Sequence, residues 1–256
     1  MKFIDTHCHL YDDKIPNEEV SHLINESADF KMAVLMGTNL DKCRENIAFA
    51  NTHNKVVTCV GLHPEDITAT WQYELTEIEK LVSCDKVVGI GEIGLDYHFK
   101  QDNKQLQKEV FILQLKLAKK HKLPVCIHTR DSVEDVYEIL KNNLSLIQYG
   151  CVIHCFSETA EWAQRFIDLG CYISFCGNFT FKNYNQSVVR DIPLAKVMAE
   201  TDSPYLSPVP FRGQVNNPTR VIYVVEKLAQ EKNISLDKMA KVAYDNAVTF
   251  YGLDKL

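Results

Sequence analysis

Lys2-Phe3-Ile4-Asp5-Thr6-His7-Cys8-His9 stands near the start of the chain, and the way this stretch is read decides the fold. Lys2–Asp5 reads as a short strand. A doubly wound nucleotide-binding sheet would follow its first strand with a glycine-rich phosphate turn, whereas this strand runs into His7-Cys8-His9. Gly89-Ile90-Gly91-Glu92-Ile93-Gly94 has the GxGxxG spacing. It contains a glutamate, however, and leads into a loop at Leu95–Asn103 rather than a helix, so it is rejected as a nucleotide cradle.

Outward from this stretch, β-branched runs alternate with segments of helical period. The pattern predicts eight strands, at Lys2–Asp5, Ala33–Met36, Val56–Val60, Val87–Gly91, Val125–Ile127, Cys151–Ile153, Tyr172–Ser174 and Val197–Glu200. It predicts helices near Asn17–Ala28, Leu40–Thr52, Gln72–Ser83, Lys104–Lys122, Val133–Lys141, Thr159–Leu169, Gln186–Arg190 and Thr219–Gln230. A further helix over Leu236–Tyr251, with Ser235 as N-cap and Gly252 as stop, is expected to pack outside the last repeat. No low-complexity linker divides the chain. Eight βα units in 256 residues therefore predict an α/β protein, a single-domain (β/α)8 TIM barrel with an additional C-terminal helix, residues 1–256 forming one domain.

Composition narrows the function classes. With 46% hydrophobic residues and 24% charged ones the chain is an ordinary globular protein, which excludes disorder and collagen. Its 28 Lys+Arg against 34 Asp+Glu give a net charge of −6, which argues against a broad basic surface for nucleic acid and leaves room for a local phosphate site. Asp5 and His7 lie where a signal peptide would need an apolar stretch, and no run of about eighteen apolar residues occurs. The nine cysteines form no CxxC pair and read as reduced, buried thiols. Cys8 and Cys155 flank histidines but read as small apolar strand residues facing away from them. The expectation is a cytoplasmic protein with no membrane partner and no obligatory protein partner.

A barrel gathers its chemistry on the face where the strands end. His7 and His9 are two residues apart, so a strand points both imidazoles to one side, where they can grip one ion. His128 and His154 end apolar strands, where an imidazole needs a hydrogen bond or a metal. Glu92 ends a strongly apolar strand, where a position bridging two cations would neutralise it. Asp202 is similarly placed and can both bind metal and deprotonate water as a general base. His22, His53 and His121 fall in charged segments and read as surface residues. His63, before Pro64, and His98, after Glu92, read equally as substrate contacts or as supporting groups.

Taken together, these residues resemble the TatD-type metal-dependent deoxyribonucleases, a branch of the amidohydrolase-like TIM-barrel hydrolases. The motifs that carry the likeness are Phe3-Ile4-Asp5-Thr6-His7-Cys8-His9-Leu10, Gly61-Leu62-His63-Pro64, Gly89–Tyr97, Ile127-His128-Thr129-Arg130, His154-Cys155-Phe156-Ser157 and Glu200–Leu206, with Arg212-Gly213, Asn216 and Pro218 extending it. The resemblance implies one to three divalent cations. His7 and His9 would hold the first with the bridging Glu92, His128 and His154 the second with the same carboxylate, and Asp202 would be the remaining ligand and the base. It also implies a DNA substrate, single-stranded or entered at 3′ ends. Zinc, manganese, magnesium, nickel and iron are not distinguished, although histidine-rich coordination suits magnesium least. Glu158 stands where the family usually carries glycine, and Gln214-Val215 lack a basic residue often found there. Both bear on substrate preference more than on metal binding.

The leading expectation is phosphodiester hydrolysis by a metal-activated water, with Arg130 and Arg212 as phosphate contacts, because guanidinium offers phosphate a bidentate fork. Surface ion pairs are the competing reading of both arginines. One alternative keeps the metals and breaks an ester or amide, such as a D-aminoacyl-tRNA ester or a small lactone. Another is a non-catalytic binding protein on a retired hydrolase barrel, whose mark would be a lost ligand.

Overall fold

In a computed structural model, residues 1–10, 13–98 and 102–255 are described. Eight strands form one parallel sheet in chain order: β1 (Phe3–Cys8), β2 (Phe30–Met36), β3 (Val56–Val60), β4 (Val87–Asp96), β5 (Val125–Arg130), β6 (Cys151–Ile153), β7 (Tyr172–Phe175) and β8 (Val197–Ala199). Helices α1 (Asn17–Glu26), α2 (Leu40–Thr52), α3 (Trp71–Leu81), α4 (Lys104–His121), α5 (Val133–Asn142) and α6 (Ala160–Asp168) alternate with the strands, and α7 (Val221–Lys232) and α8 (Leu236–Tyr251) follow β8. The expected (β/α)8 barrel is thus the observed one. Among the described residues no helix is long and apolar enough to cross a membrane.

The seam between β8 and β1 is drawn together by polar groups. The buried Asp5 carboxylate accepts from the Thr201 N–H at 2.8 Å, and the Thr6 hydroxyl donates to the Ala199 carbonyl at 3.0 Å. Just beyond β8, the Asp202 N–H donates to the His7 carbonyl at 3.0 Å and the His9 N–H to the Ser203 carbonyl at 2.7 Å. Both strand ends that carry metal-capable side chains are therefore tied to each other by backbone.

Three expectations need correction. β4 runs on to Asp96 instead of turning into a loop at Leu95, because β5 pairs with it as far as Asp96↔Arg130. Phe99, Lys100 and Gln101 of that expected loop lie outside the described residues. The helix expected at Gln186–Arg190 is a single 3₁₀ turn, Gln186–Val189. Asn185 and Ser187 hydrogen-bond each other locally, and Pro193 ends the segment too soon for a nucleus to propagate.

The third correction concerns α8, whose C-terminal end closes the bottom of the barrel instead of lying outside the last repeat. Ile4, Val34, Met36, Val57, Cys59, Val88, Cys126, Val152 and Met198 form an axial core that is completed by Ala247, Phe250 and Tyr251 of α8 with Leu253. The Tyr251 hydroxyl donates to the Thr6 carbonyl at 3.1 Å inside it. A separate, larger core lies between the strands and the helices. Two of the three glycines of the rejected GxGxxG stretch belong to the axial packing: a Cβ at Gly89 would fall 2.8 Å from Cys59 Sγ, and one at Gly91 would fall 2.8 Å from Cys126 Cβ.

Candidate metal centre

At the end of the barrel opposite α8 the strands deliver a cluster of imidazoles and carboxylates. β1 shifts register between Asp5 and Cys8, which leaves His7 and His9 turned to the axis and Cys8 in the outer core. β4 shifts register between Ile90 and Ile93, around Glu92. Asp202 has φ 55°, in the left-handed region that aspartate tolerates better than most residues, and this conformation is held by the bonds that tie it to β1.

Glu92 lies at the centre, only 3% exposed, and each of its oxygens serves a different set of imidazoles. Oε2 is 3.3 Å from His7 Nε2 and 3.5 Å from His9 Nε2, while Asp202 Oδ1 is 3.6 and 3.4 Å from the same two nitrogens. His7 Nε2 and His9 Nε2 stand 3.2 Å apart. Donors bound at 2.0–2.1 Å to one tetrahedral ion are about 3.3 Å from one another. The first group has that spacing. Oε1 is 2.8 Å from both His128 Nδ1 and His154 Nε2, and these nitrogens are 3.2 Å apart. Mixed imidazole and carboxylate donors converging at these separations fit a divalent transition-metal ion better than a proton-mediated polar cluster.

Two carboxylates hold these imidazoles from behind. His128 Nε2 meets Asp96 Oδ2 at 2.9 Å, and His154 Nδ1 meets Glu200 Oε1 at 3.3 Å. Each bond fixes which nitrogen faces the centre and makes that nitrogen more basic. Sequence reading placed Asp96 in the loop after the fourth strand and Glu200 at the end of the eighth, without giving either a role. The available signal was their spacing, Asp96 four residues after Glu92 and Glu200 two before Asp202.

His63 behaves differently. Its Nδ1 accepts the Glu65 N–H at 3.2 Å, so the proton of the neutral ring sits on Nε2, which points at Glu92 Oε1 from 3.5 Å. It therefore presents a donor to the centre. Burial holds its pKa below the ordinary histidine value.

Charge coupling is strong throughout the cluster. Burial works against the ionised form of Glu92, yet His154, His7 and His63 hold its carboxyl well below the usual range. Burial likewise opposes charge on His154, but Glu92 and Glu200 hold it well above the ordinary histidine value; Asp96 and Glu92 raise His128, and Asp202 and Glu92 raise His9. His7 moves the other way, lowered by burial and by His154. Asp202 stays below the usual carboxylate range against burial, through His9 and His7.

The sign of the resulting pH dependence is definite. An imidazole with a raised folded-state pKa stabilises the metal-free chain below the unfolded histidine value, and this contribution is lost as pH rises through the raised value. Metal needs the same nitrogens neutral. The upward thermal shift that manganese or zinc gives the chelator-stripped protein should therefore be larger at about pH 8 than at about pH 6. Scanning fluorimetry measures it, and an equal or larger shift at the lower pH would contradict the ligand set.

His9, His63, Glu92, His128, His154 and Asp202 form the floor of a cavity of about 490 Å³, with His7 buried beneath it, and its walls include Thr38, Glu65, Asp66, Arg130, Tyr205 and Leu206. Thus His7, His9, Glu92, His128, His154, Asp202 and His63 come together, with Arg130 at the mouth. Arg212 is not among the lining residues; its guanidinium lies 4.5 Å from the centre of the Phe181 ring. His98 pairs with Asp131 at 2.9 Å, and Glu158, pushed up by burial and by Asp131, is likewise absent from the lining. His22, His53 and His121 contact Glu26, Ser21 and Glu79, away from the centre.

Cys155 does not face away as a strand residue. It follows β6 with φ 44°, donates its N–H to Glu200 at 2.6 Å and rests its sulfur 2.7 Å from Cys176 Sγ. The Cys176 thiol and burial push the Cys155 thiol up, and burial pushes the Cys176 thiol up, which favours the protonated forms, and Glu200 is already engaged by His154, so this trio suits a metal poorly.

Comparison with known proteins shows which family the chain belongs to. The family model described as TatD related DNase matches residues 4–252. The chain is 35% identical to an uncharacterized metal-dependent hydrolase, YabD, of Bacillus subtilis, over 98% of this chain and 99% of that one. Among solved structures it is similar to the TatD homolog YJJV from Escherichia coli, with a TM-score of 0.88 and 30% identity over 98% of each chain. A TatD family hydrolase from Entamoeba histolytica gives a TM-score of 0.84 and 26% identity over 98% of each. A match that runs the length of the barrel and takes in every strand carrying a donor leaves one classification: the chain belongs to the TatD-related DNase family of metal-dependent hydrolases.

Proposed function

We propose that this hydrolase cleaves DNA phosphodiester bonds at single-stranded ends, its centre holding two divalent cations. His7, His9 and Asp202 would hold one, His128 and His154 the other, with Glu92 bridging them. The observation that carries the reading is the division of labour in Glu92, whose two oxygens each face a separate set of imidazoles on the floor of a cavity with an arginine at its mouth. When bound, such cations polarise water and draw charge from phosphoryl oxygens.

The chain's own groups do the rest. Asp202, on the floor and held ionised, accepts the proton of the attacking water. Arg130 offers its fork to the phosphate at the mouth, and the His63 Nε2–H donates to an oxygen on which charge develops. Asp96 and Glu200 keep His128 and His154 from rotating. A cavity of about 490 Å³ has the capacity for a small-molecule-sized unit such as one nucleotide, which supports entry of a chain end over binding of intact duplex.

The test is hydrolysis of a labelled single-stranded oligonucleotide after chelation, then after addition of manganese, magnesium or zinc. Activity should vanish with chelator and return with metal; unchanged activity in chelator would defeat the reading. A D-aminoacyl ester and a lactone belong in the same panel. Glu65 and Asp66, two further carboxylates on the cavity wall, suit a substrate ammonium group and are what favours the aminoacyl-ester alternative.

A further inference from the structure

Tyr205 lines the same cavity three residues beyond Asp202, yet 47% of it is exposed, whereas aromatics such as Phe156, Phe175 and Phe179 are buried. Its backbone is immobilised on both sides. The Tyr205 N–H donates to the Asp202 carbonyl at 3.0 Å. The fully buried Asn216 donates its side-chain amide to the Thr201 carbonyl at 3.1 Å and the Tyr205 carbonyl at 2.7 Å, and its own N–H reaches the Pro204 carbonyl at 3.0 Å. The next residue, Leu206, has φ 51° and presses its carbonyl against Gly177, where a Cβ would come within 1.7 Å. The tyrosine is thus an exposed ring on a rigid support, and such a ring loses little conformational freedom when a flat partner covers it.

The surroundings of the ring select the partner. Tyr205 and Arg130 line one cavity, so a phosphate held at that arginine brings its attached base into the space that the ring lines. A nucleobase is uncharged and flat, and stacking is tolerant of base identity because every base has a π-face.

We propose that Tyr205 is the stacking platform for the base next to the scissile phosphodiester, so that the centre takes a nucleotide unit and not merely a phosphodiester. This inference rests on the phosphodiester reading above. The experiment compares a single-stranded DNA decamer with copies in which one of the two nucleotides flanking each terminal phosphodiester is abasic. Metal-loaded wild type, Tyr205→Phe and Tyr205→Ala are assayed with each substrate, and folding is checked by circular dichroism.

In wild type and Tyr205→Phe, removal of the stacked base should lower kcat/KM on the order of tenfold, the worth of one stacking contact. In Tyr205→Ala the intact decamer should fall by a similar factor through KM, and the abasic penalty should disappear. Equal cleavage of intact and abasic decamers by wild type would overturn the inference and leave the phosphodiester reading standing, as would an undiminished abasic penalty in Tyr205→Ala. Failure of wild type to cut any decamer would overturn the phosphodiester reading, and this inference with it.

Discussion

Glu92→Gln should lose hydrolytic activity by a factor of about 10³ or more, the equivalent of several kcal/mol of lost charge stabilisation. The substitution keeps the size of the side chain and removes its charge. Wild-type Glu92 is buried and lies within 3.5 Å of five imidazoles, those of His7, His9, His63, His128 and His154. A neutral amide there leaves bound cations without their shared counter-charge in a site shielded from water, which is strongly unfavourable. Bound metal, counted by plasma mass spectrometry after gel filtration, should fall along with activity. Glu92→Asp is the informative companion, because it keeps the charge but shortens the reach by one methylene. It should lose most of the activity too if spanning both groups is what matters. Activity of Glu92→Gln within tenfold of wild type would remove the bridging carboxylate from the scheme.

Asp202→Asn is expected to lower kcat by about 10²–10⁴, the usual worth of a positioned proton acceptor, with a small change in KM. His7, His9 and Glu92 remain in place to bind metal, so metal content should fall less than in Glu92→Gln. The aspartate is well suited to accept a proton because its neighbours hold it ionised against burial, His9 and His7 chief among them. An amide oxygen can still donate a lone pair to a cation, but it cannot take the proton. If Asp202→Asn kept more than a tenth of wild-type kcat, the proton would have to leave by another route.

Much of this was legible in the chain because it depends on short-range periodicity. The spacing of His7 and His9 follows from side-chain alternation along a strand, and the eight apolar runs announce a parallel barrel because strands buried on both faces must be apolar throughout. The clustered donors His128, His154, Glu92 and Asp202 could be found because a titratable side chain at the end of an apolar run is costly unless it has a partner. By contrast, Asp96 and Glu200 are ordinary acids at strand ends until β4, β5, β6 and β8 bring them behind His128 and His154. The tautomer of His63 depends on a backbone N–H two residues away, and the withdrawal of Arg212 on to Phe181 depends on how two loops pack.

The C-terminal helix marks the boundary most clearly. Its caps at Ser235 and Gly252 are local, and periodicity placed both ends correctly. Its destination at the bottom of the barrel is not local, because Phe250 and Tyr251 only acquire a reason to be apolar when the axial core from Ile4 to Met198 exists to receive them. From sequence alone came the order of elements and the chemical character of the centre, both of which rest on neighbours along the chain. The pairing of Glu92's oxygens with separate imidazoles, the carboxylates that steady them and the plug beneath them were decided by tertiary structure, since each is a contact between residues distant in the chain, to which local periodicity is blind.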